Sequence, residues 1–143
     1  MGLYEFETIE KNLNKDHVYY ILFLGDSYSH DKINNKNTAY ITDEAMELIE
    51  DIFISINKDY DRYGITKYEN HEIKLLEKLF VQRLNEIQNN KANIILNDFF
   101  STEWNEILIN IYKDNMDEII ILLKNIISWL NKINDKNLII IGV

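Results

Sequence analysis

The stretch His17–Asp26, which reads HVYYILFLGD, decides the fold. Its first eight residues are rich in β-branched and aromatic side chains, and from Val18 onward they are apolar on both faces. A strand that is apolar on both faces is typical of the buried centre of a sheet. The pair Gly25-Asp26 then favours a turn. The segment therefore predicts a central strand over residues 17–24.

Two further segments supply strands for the same sheet. The sequence TAYIT at residues 38–42 predicts a short strand, and LIIIGV at residues 138–143 predicts another. A strand needs a partner for its backbone hydrogen bonds. We expect the strand at 138–143 to pair with the strand at 17–24.

Apolar residues at helical spacing predict four helices, over about 43–57, 69–88, 101–112 and 115–133. Thr42 is the predicted N-cap of the first helix, and Asn115 with Glu118 predicts a capping box for the last. A small sheet packed with four to five helices indicates an α+β or α/β fold. The length predicts a single globular domain over residues 1–143.

Composition limits the possible functions. The absence of cysteine among 143 residues excludes disulfides, thiolate catalysis and cysteine-ligated metals. A net charge of −9 disfavours nucleic acid and anionic membranes as partners. The longest apolar run, residues 119–123, is far shorter than the ~20 residues that cross a bilayer. We expect a cytoplasmic protein with no cofactor and no nucleic-acid or membrane partner, for which a homo-oligomer is possible but not indicated.

One motif suggests an enzyme. FLGDSYS at residues 23–29 resembles the nucleophile block of the GDSL hydrolases, in which a serine just past a strand attacks an ester. That family also has a Gly-x-Asn-Asp block and a histidine base near its C-terminus. Here Asn97-Asp98 follow Ile95 in place of glycine, and no histidine lies beyond His71, so Ser27 has no base. We therefore predict no enzyme, with a small GDSL-type esterase using Ser27 as the alternative.

A second motif suggests a metal site. Asp59, Asp61 and Gly64 match positions of an EF-hand calcium loop between two helices, but Asn70 replaces its bidentate glutamate. His71-Glu72 begins like the zinc motif HExxH, but Leu75 replaces the second histidine. An ordinary helix–loop–helix connection is the favoured interpretation, and no metal site is predicted.

Acidic residues and tyrosines are concentrated in the first helix and the loop after it. Glu44, Glu47 and Asp51 are spaced i, i+3 and i+7, opposite the apolar stripe. Acid interleaved with tyrosine is typical of a face that binds a basic partner, and a solvated helix face with tyrosines partly in the core is the alternative. The predicted partner-binding residues are Asp43, Glu44, Glu47, Glu50, Asp51, Asp59, Tyr60, Asp61, Tyr63, Tyr68 and Glu69.

Three segments in the first half of the chain carry a resemblance to a known class. YYILFLGDSYS (19–29), YITDEAMELIEDIF (40–53) and YGIT (63–66) resemble immunity proteins of polymorphic toxin systems, including contact-dependent growth inhibition. The resemblance implies a cytosolic protein that binds one toxin domain, often a basic nuclease, and blocks its active site or substrate surface. It implies an interface and no catalytic residues. A non-catalytic structural or regulatory subunit is a further alternative.

Overall fold

The computed structural model describes residues 3–26, 36–89, 102–133 and 135–142. Within these ranges the strands are β1 (Phe6–Glu7), β2 (Tyr19–Leu24), β3 (Thr38–Thr42), β4 (Ile65–Tyr68) and β5 (Leu138–Ile141). The helices are α1 (Asp43–Ile56), α2 (Asn70–Asn89), α3 (Thr102–Asp114) and α4 (Met116–Asn131). All strand pairs are antiparallel, so the fold is α+β.

The sheet has the strand order β1-β3-β2-β5-β4, which places β2 at its centre. This confirms the prediction of a buried central strand, although β2 begins at Tyr19 and not at His17. The expected pairing of β5 with β2 is also confirmed, with Leu22 opposite Ile140. The strand at 38–42 lies on the other side of β2, as the neighbour that its sequence predicted.

The predicted helix–loop–helix connection after α1 is wrong, because this segment contains β4. The strand pairs with β5, with Thr66 opposite Ile140 and Tyr68 opposite Leu138. Thr66 and Tyr68 are buried, and the alternate residues Ile65 and Lys67 are exposed, as expected for a strand with one covered face. β4 forms one edge of the sheet and the two-residue β1 forms the other.

The helices cover one face of the sheet. The side chains that point towards them include a row that is in register across four strands: Ala39, Leu22, Ile140 and Thr66. On the helical side, Phe53 of α1 contacts Phe80 of α2 at a ring centroid distance of 5.6 Å. Burial of these apolar side chains is the main source of stability for the fold.

The two predicted helix starts differ in detail. The Thr42 side chain accepts a hydrogen bond from the Ala45 amide at 3.4 Å, which confirms it as the N-cap of α1. Asn115 is the N-cap residue of α4, but its side chain makes no capping bond, so the predicted capping box is wrong. The reason is that α3 runs almost directly into α4. The side-chain amide of Asn115 donates to the Ile111 carbonyl of α3. The Glu118 carboxylate accepts from the backbone amide of Tyr4 instead.

A buried ion pair joins three of the helices. Arg83 of α2 forms two hydrogen bonds to the Asp51 carboxylate of α1. It also donates to the Tyr112 hydroxyl of α3 at 2.8 Å and to the Leu48 carbonyl at 3.2 Å. Burial alone would lower the pKa of Arg83, but Tyr112 and Asp51 raise it above its ordinary value. The guanidinium therefore stays charged in the core.

The buried pair predicts a large loss of stability when one partner is removed. Asp51→Ala leaves Arg83 buried without its counter-charge, and we expect the free energy of unfolding to fall by about 3–5 kcal/mol. Replacing both partners, Asp51→Leu with Arg83→Met, is expected to recover most of this loss. Glu69→Ala, which removes only the exposed pair with Lys67, should cost less than ~1 kcal/mol. Urea unfolding measures all three, and equal effects of Asp51→Ala and Glu69→Ala would contradict the prediction.

Candidate binding surface

The start of α1 concentrates acidic side chains at one point of the molecule. The Thr42 hydroxyl fixes this point, because it accepts from the Glu5 amide at 3.1 Å and donates to the Leu3 carbonyl at 2.6 Å. Asp43 and Glu44 occupy the first turn of α1. Negative charge is favourable there because the N-terminal end of a helix dipole is positive.

Two of the predicted acidic surface residues are not on the surface. Glu50 and Asp51 are each only 1% exposed, so their assignment to a binding face is wrong. Asp51 pairs with Arg83, and Glu50 accepts from the Arg62 Nε at 3.0 Å. Both arginines of the chain are thus paired with two consecutive acidic residues of α1. The stripe of acidic residues runs from the partly exposed helix start into the core, because α2 and α3 cover its second half.

The tyrosines of the predicted face are divided between core and solvent. Tyr68 is fully buried and donates to the Phe53 carbonyl at 2.8 Å, so its assignment to the surface is wrong. Tyr60 is half-buried, stacks on the Phe53 ring and donates to Glu50 at 3.1 Å. Burial raises the pKa values of both tyrosines. Tyr63 is exposed.

The exposed acids before and after β4 make local contacts. Asp61 accepts from the Tyr63 amide at 2.9 Å, and its own amide donates to the Thr66 hydroxyl at 2.9 Å. These bonds make a tight turn before β4 and engage Asp61 within the turn. Glu69 lies 3.8 Å from Lys67. Across the described ranges, no group of three His, Cys, Asp or Glu side chains is arranged to hold a metal ion.

Three carboxylates remain at the start of α1, and Glu118 of α4 lies beside them. Together they form what we call the acidic surface: Asp43, Glu44, Glu47 and Glu118. Burial and the neighbouring Asp43 raise the pKa of Glu47, with smaller contributions from Glu50 and Glu44, against the opposing effect of Arg62. Burial, Glu118, Glu44 and Glu47 raise the pKa of Tyr4. Tyr4 therefore lies within electrostatic reach of Glu118 on α4 and of Glu44 and Glu47 on α1.

Sequence reasoning missed Glu118 and Tyr4 as members of this region. Both lie far along the chain from α1, and the Tyr4 amide donates to the Glu118 carboxylate at 3.3 Å. The acidic first turn of α4, with Asp117 and Glu118, was visible in the sequence. Its place beside α1 depends on the tertiary fold.

None of the four acidic-surface carboxylates forms a salt bridge with any residue that the structure describes. The ion pairs found in those ranges join His17 with Glu5, Arg62 with Glu50, Lys67 with Glu69, and Arg83 with Asp51. Within the described residues, the acidic surface therefore carries more negative than positive charge, which attracts cations from solution.

The region of the GDSL-like motif has a structural role in the part that is described. The Gly25 amide donates to the Asn137 carbonyl at 3.0 Å, and the Asn137 side chain lies 3.4 Å from Asp26. The same Asn137 side chain accepts from the Asn70 amide, so the start of α2, with the exposed His71, lies close to the end of β2. Ser27, His30 and Asn97-Asp98 lie outside the described residues.

Comparisons with known proteins leave the surface to be interpreted from its own geometry: no protein-family model, curated protein or solved structure matches the chain. Among the described residues, no helix combines the length and the apolar character that a membrane span requires.

The raised pKa of Glu47 leads us to expect a measurable pH dependence of stability. Its raised pKa means that the folded state binds the proton more tightly than the unfolded chain, whose value is near 4.5. The contribution of Glu47 to stability is therefore greatest below the unfolded pKa and is lost as the pH rises through the folded pKa. Glu47→Gln removes this loss, and near pH 7 it should stabilise the protein by about 0.2–0.5 kcal/mol by relieving like-charge contacts.

Thermal unfolding of wild type and Glu47→Gln between pH 4.5 and pH 7 tests this. The stability difference between the two proteins should grow with pH. Glu103→Gln, at an exposed position of α3, is the control for the loss of one charge. A difference that is constant across the pH range, or the same for both variants, would contradict the assignment.

Proposed function

We propose that this protein is an immunity protein, which binds and neutralises a cognate basic toxin domain, such as a nuclease, in the cytoplasm. The acidic surface is the centre of the proposed interface. Toxin domains that act on nucleic acid need cationic surfaces to hold phosphate. A protein that offers carboxylates to the same cations competes with the substrate.

The observation that supports the proposal is the division of acidic residues on α1. Glu50 and Asp51 are neutralised inside the protein by its only arginines, and Asp43, Glu44 and Glu47 form no salt bridge with any described residue. Like charges three and four residues apart on a helix are unfavourable. A basic partner would relieve this repulsion on binding, and the field of the acidic surface would speed its approach.

The net negative charge of the protein also limits the kinds of partner that it can bind. A net charge of −9 repels nucleic acid and anionic membranes, and the proposal requires neither. It requires no cofactor and no catalytic residue of this chain. Inhibition would follow from occupying the cationic surface of the toxin.

Neutralising the acidic surface should slow association with the toxin. We expect Asp43→Asn/Glu44→Gln/Glu47→Gln to lower the association rate constant on the order of tenfold at low salt, and to flatten its dependence on salt concentration. The partner to use is the product of the adjacent upstream gene, co-expressed and then purified. The measurement is surface-based binding kinetics between 50 and 500 mM NaCl, a range that spans strong and weak screening.

A matched control removes the same charge elsewhere. Glu103→Gln/Glu106→Gln/Asp135→Asn neutralises three exposed carboxylates of α3 and of the segment before β5, and we expect the association rate to fall much less. The opposite order of effects would place the interface away from the acidic surface and contradict the proposal. If the upstream gene product is toxic and this protein neither binds it nor rescues growth, the proposed function is wrong.

A further inference from the structure

Three exposed apolar side chains lie at the end of the sheet where α1 begins. They are Leu3, Val18 and Tyr63, which we call the anchor residues, with 53%, 53% and 75% of their surface exposed. Isolated apolar residues on a surface are common and need no explanation. The position of these three beside the acidic surface makes them informative.

The sheet register brings the anchor residues to the same end. The Leu3 carbonyl accepts from the Thr42 hydroxyl at the end of β3, and the Val18 carbonyl accepts from the Asp43 amide at 2.9 Å. Tyr63 precedes Gly64, whose carbonyl accepts from the Gly142 amide at 2.7 Å just after β5. Leu3 to Tyr63 thus spans the five strands, a distance of about 19 Å at the usual strand spacing.

The acidic surface lies within the same region. The Asp43 amide donates a hydrogen bond to the Val18 carbonyl. The amide of Tyr4, the residue after Leu3, donates one to the Glu118 carboxylate. Near the third anchor residue, the guanidinium of Arg62, which precedes Tyr63, donates a hydrogen bond to the Glu50 carboxylate of α1. Leu3 and Val18 therefore lie next to the start of α1, and Tyr63 lies at the same end of the sheet, two strands further along.

The segment that carries Tyr63 is held in place before any partner arrives. The Tyr63 amide donates to Asp61, and Arg62 is fixed by its bonds to Glu50. A Cβ atom at Gly142 would lie 1.9 Å from the Arg62 carbonyl oxygen, so the loop packs against the backbone after β5 at a distance that only glycine allows. A preorganised backbone segment loses little conformational entropy on binding, which favours affinity.

We propose that the partner surface is basic and carries apolar side chains that pack on Leu3, Val18 and Tyr63 while its cations pair with the acidic surface. This inference rests on the proposed function and adds the mode of binding. Exposed ion pairs stabilise a complex weakly, whereas buried aromatic and aliphatic contacts slow dissociation. The acidic surface would thus set how fast the partner arrives, and the anchor residues how long it stays.

Charge complementarity identifies the occupant as a basic protein. A second copy of this chain would bring its own Asp43, Glu44 and Glu47 to the same place and add a second net charge of −9. Like charges placed opposite each other disfavour that pairing. A basic protein gains both the apolar contacts and the ion pairs.

The test separates dissociation from association in the purified complex with the upstream gene product. Val18→Ser/Tyr63→Ser should increase the dissociation rate constant at least about tenfold and change the association rate by less than about threefold. Asp43→Asn/Glu44→Gln/Glu47→Gln should show the reverse pattern. Both anchor positions are exposed, so the fold should be retained, and circular dichroism melting verifies this for each variant.

The control is Leu75→Ser/Ile107→Ser, which replaces two residues of α2 and α3 that are each 48% exposed. If this control and Val18→Ser/Tyr63→Ser dissociate at the same rate, the role of the anchor residues is wrong and the proposed function stands. If wild type forms no complex with a toxic upstream product, the proposed function fails and the inference fails with it. A homodimer that Val18→Ser/Tyr63→Ser disrupts would assign the surface to a second copy and overturn the basic partner.

Discussion

The Asp51–Arg83 pair constrains the arrangement of the helices more than any other single contact. A buried guanidinium needs acceptors for its donors as well as a counter-charge, because an unpaired charge in the core is very costly. Arg83 finds these groups on two other helices: Asp51 and the Leu48 carbonyl of α1, and the Tyr112 hydroxyl of α3. These bonds hold the three helices in the relative position that the structure shows. That position covers the second half of α1 and leaves its first turn at the surface.

The same constraint divides the acidity of α1 into two parts. Glu50 and Asp51 are consecutive in sequence, and each is neutralised by a different arginine. Glu44 and Glu47 lie on the same helical stripe as Asp51, yet they form no salt bridge in the described part of the chain. Carboxylates without a salt bridge thus lie beside the end of the sheet. Both proposals about binding depend on this division.

The sequence predicts the parts of this fold that have a strong local pattern. β2 is recognisable from its length and apolar character, and α1 from its spacing and its Thr42 cap. β4 is not, because Thr66 and Lys67 are polar and follow a glycine, and only the pairing with β5 makes the segment a strand. The two-residue β1 has no detectable pattern of its own.

The candidate surface was predictable only in part, for a related reason. The acidic start of α1 is visible in the sequence, but the burial of Glu50 and Asp51 depends on arginines that are 12 and 32 residues away. Helical periodicity indicates which residues share a face, and it does not indicate which segment of the chain will cover that face. Tyr68 illustrates the same limit, since its hydroxyl is buried against the Phe53 carbonyl of a helix that precedes it.

The strand order also determines when the candidate binding surface can assemble during synthesis of the chain. β5 lies between β2 and β4 in the sheet, yet it is the last of the five strands to be synthesised. During translation, β4 therefore cannot pair with β5 until α2, α3 and α4 have been synthesised. Pairing between such distant segments is slow compared with helix formation. The contact of Gly142 with the loop before β4 can form only after translation has passed β5, so the candidate binding surface is completed only after that point.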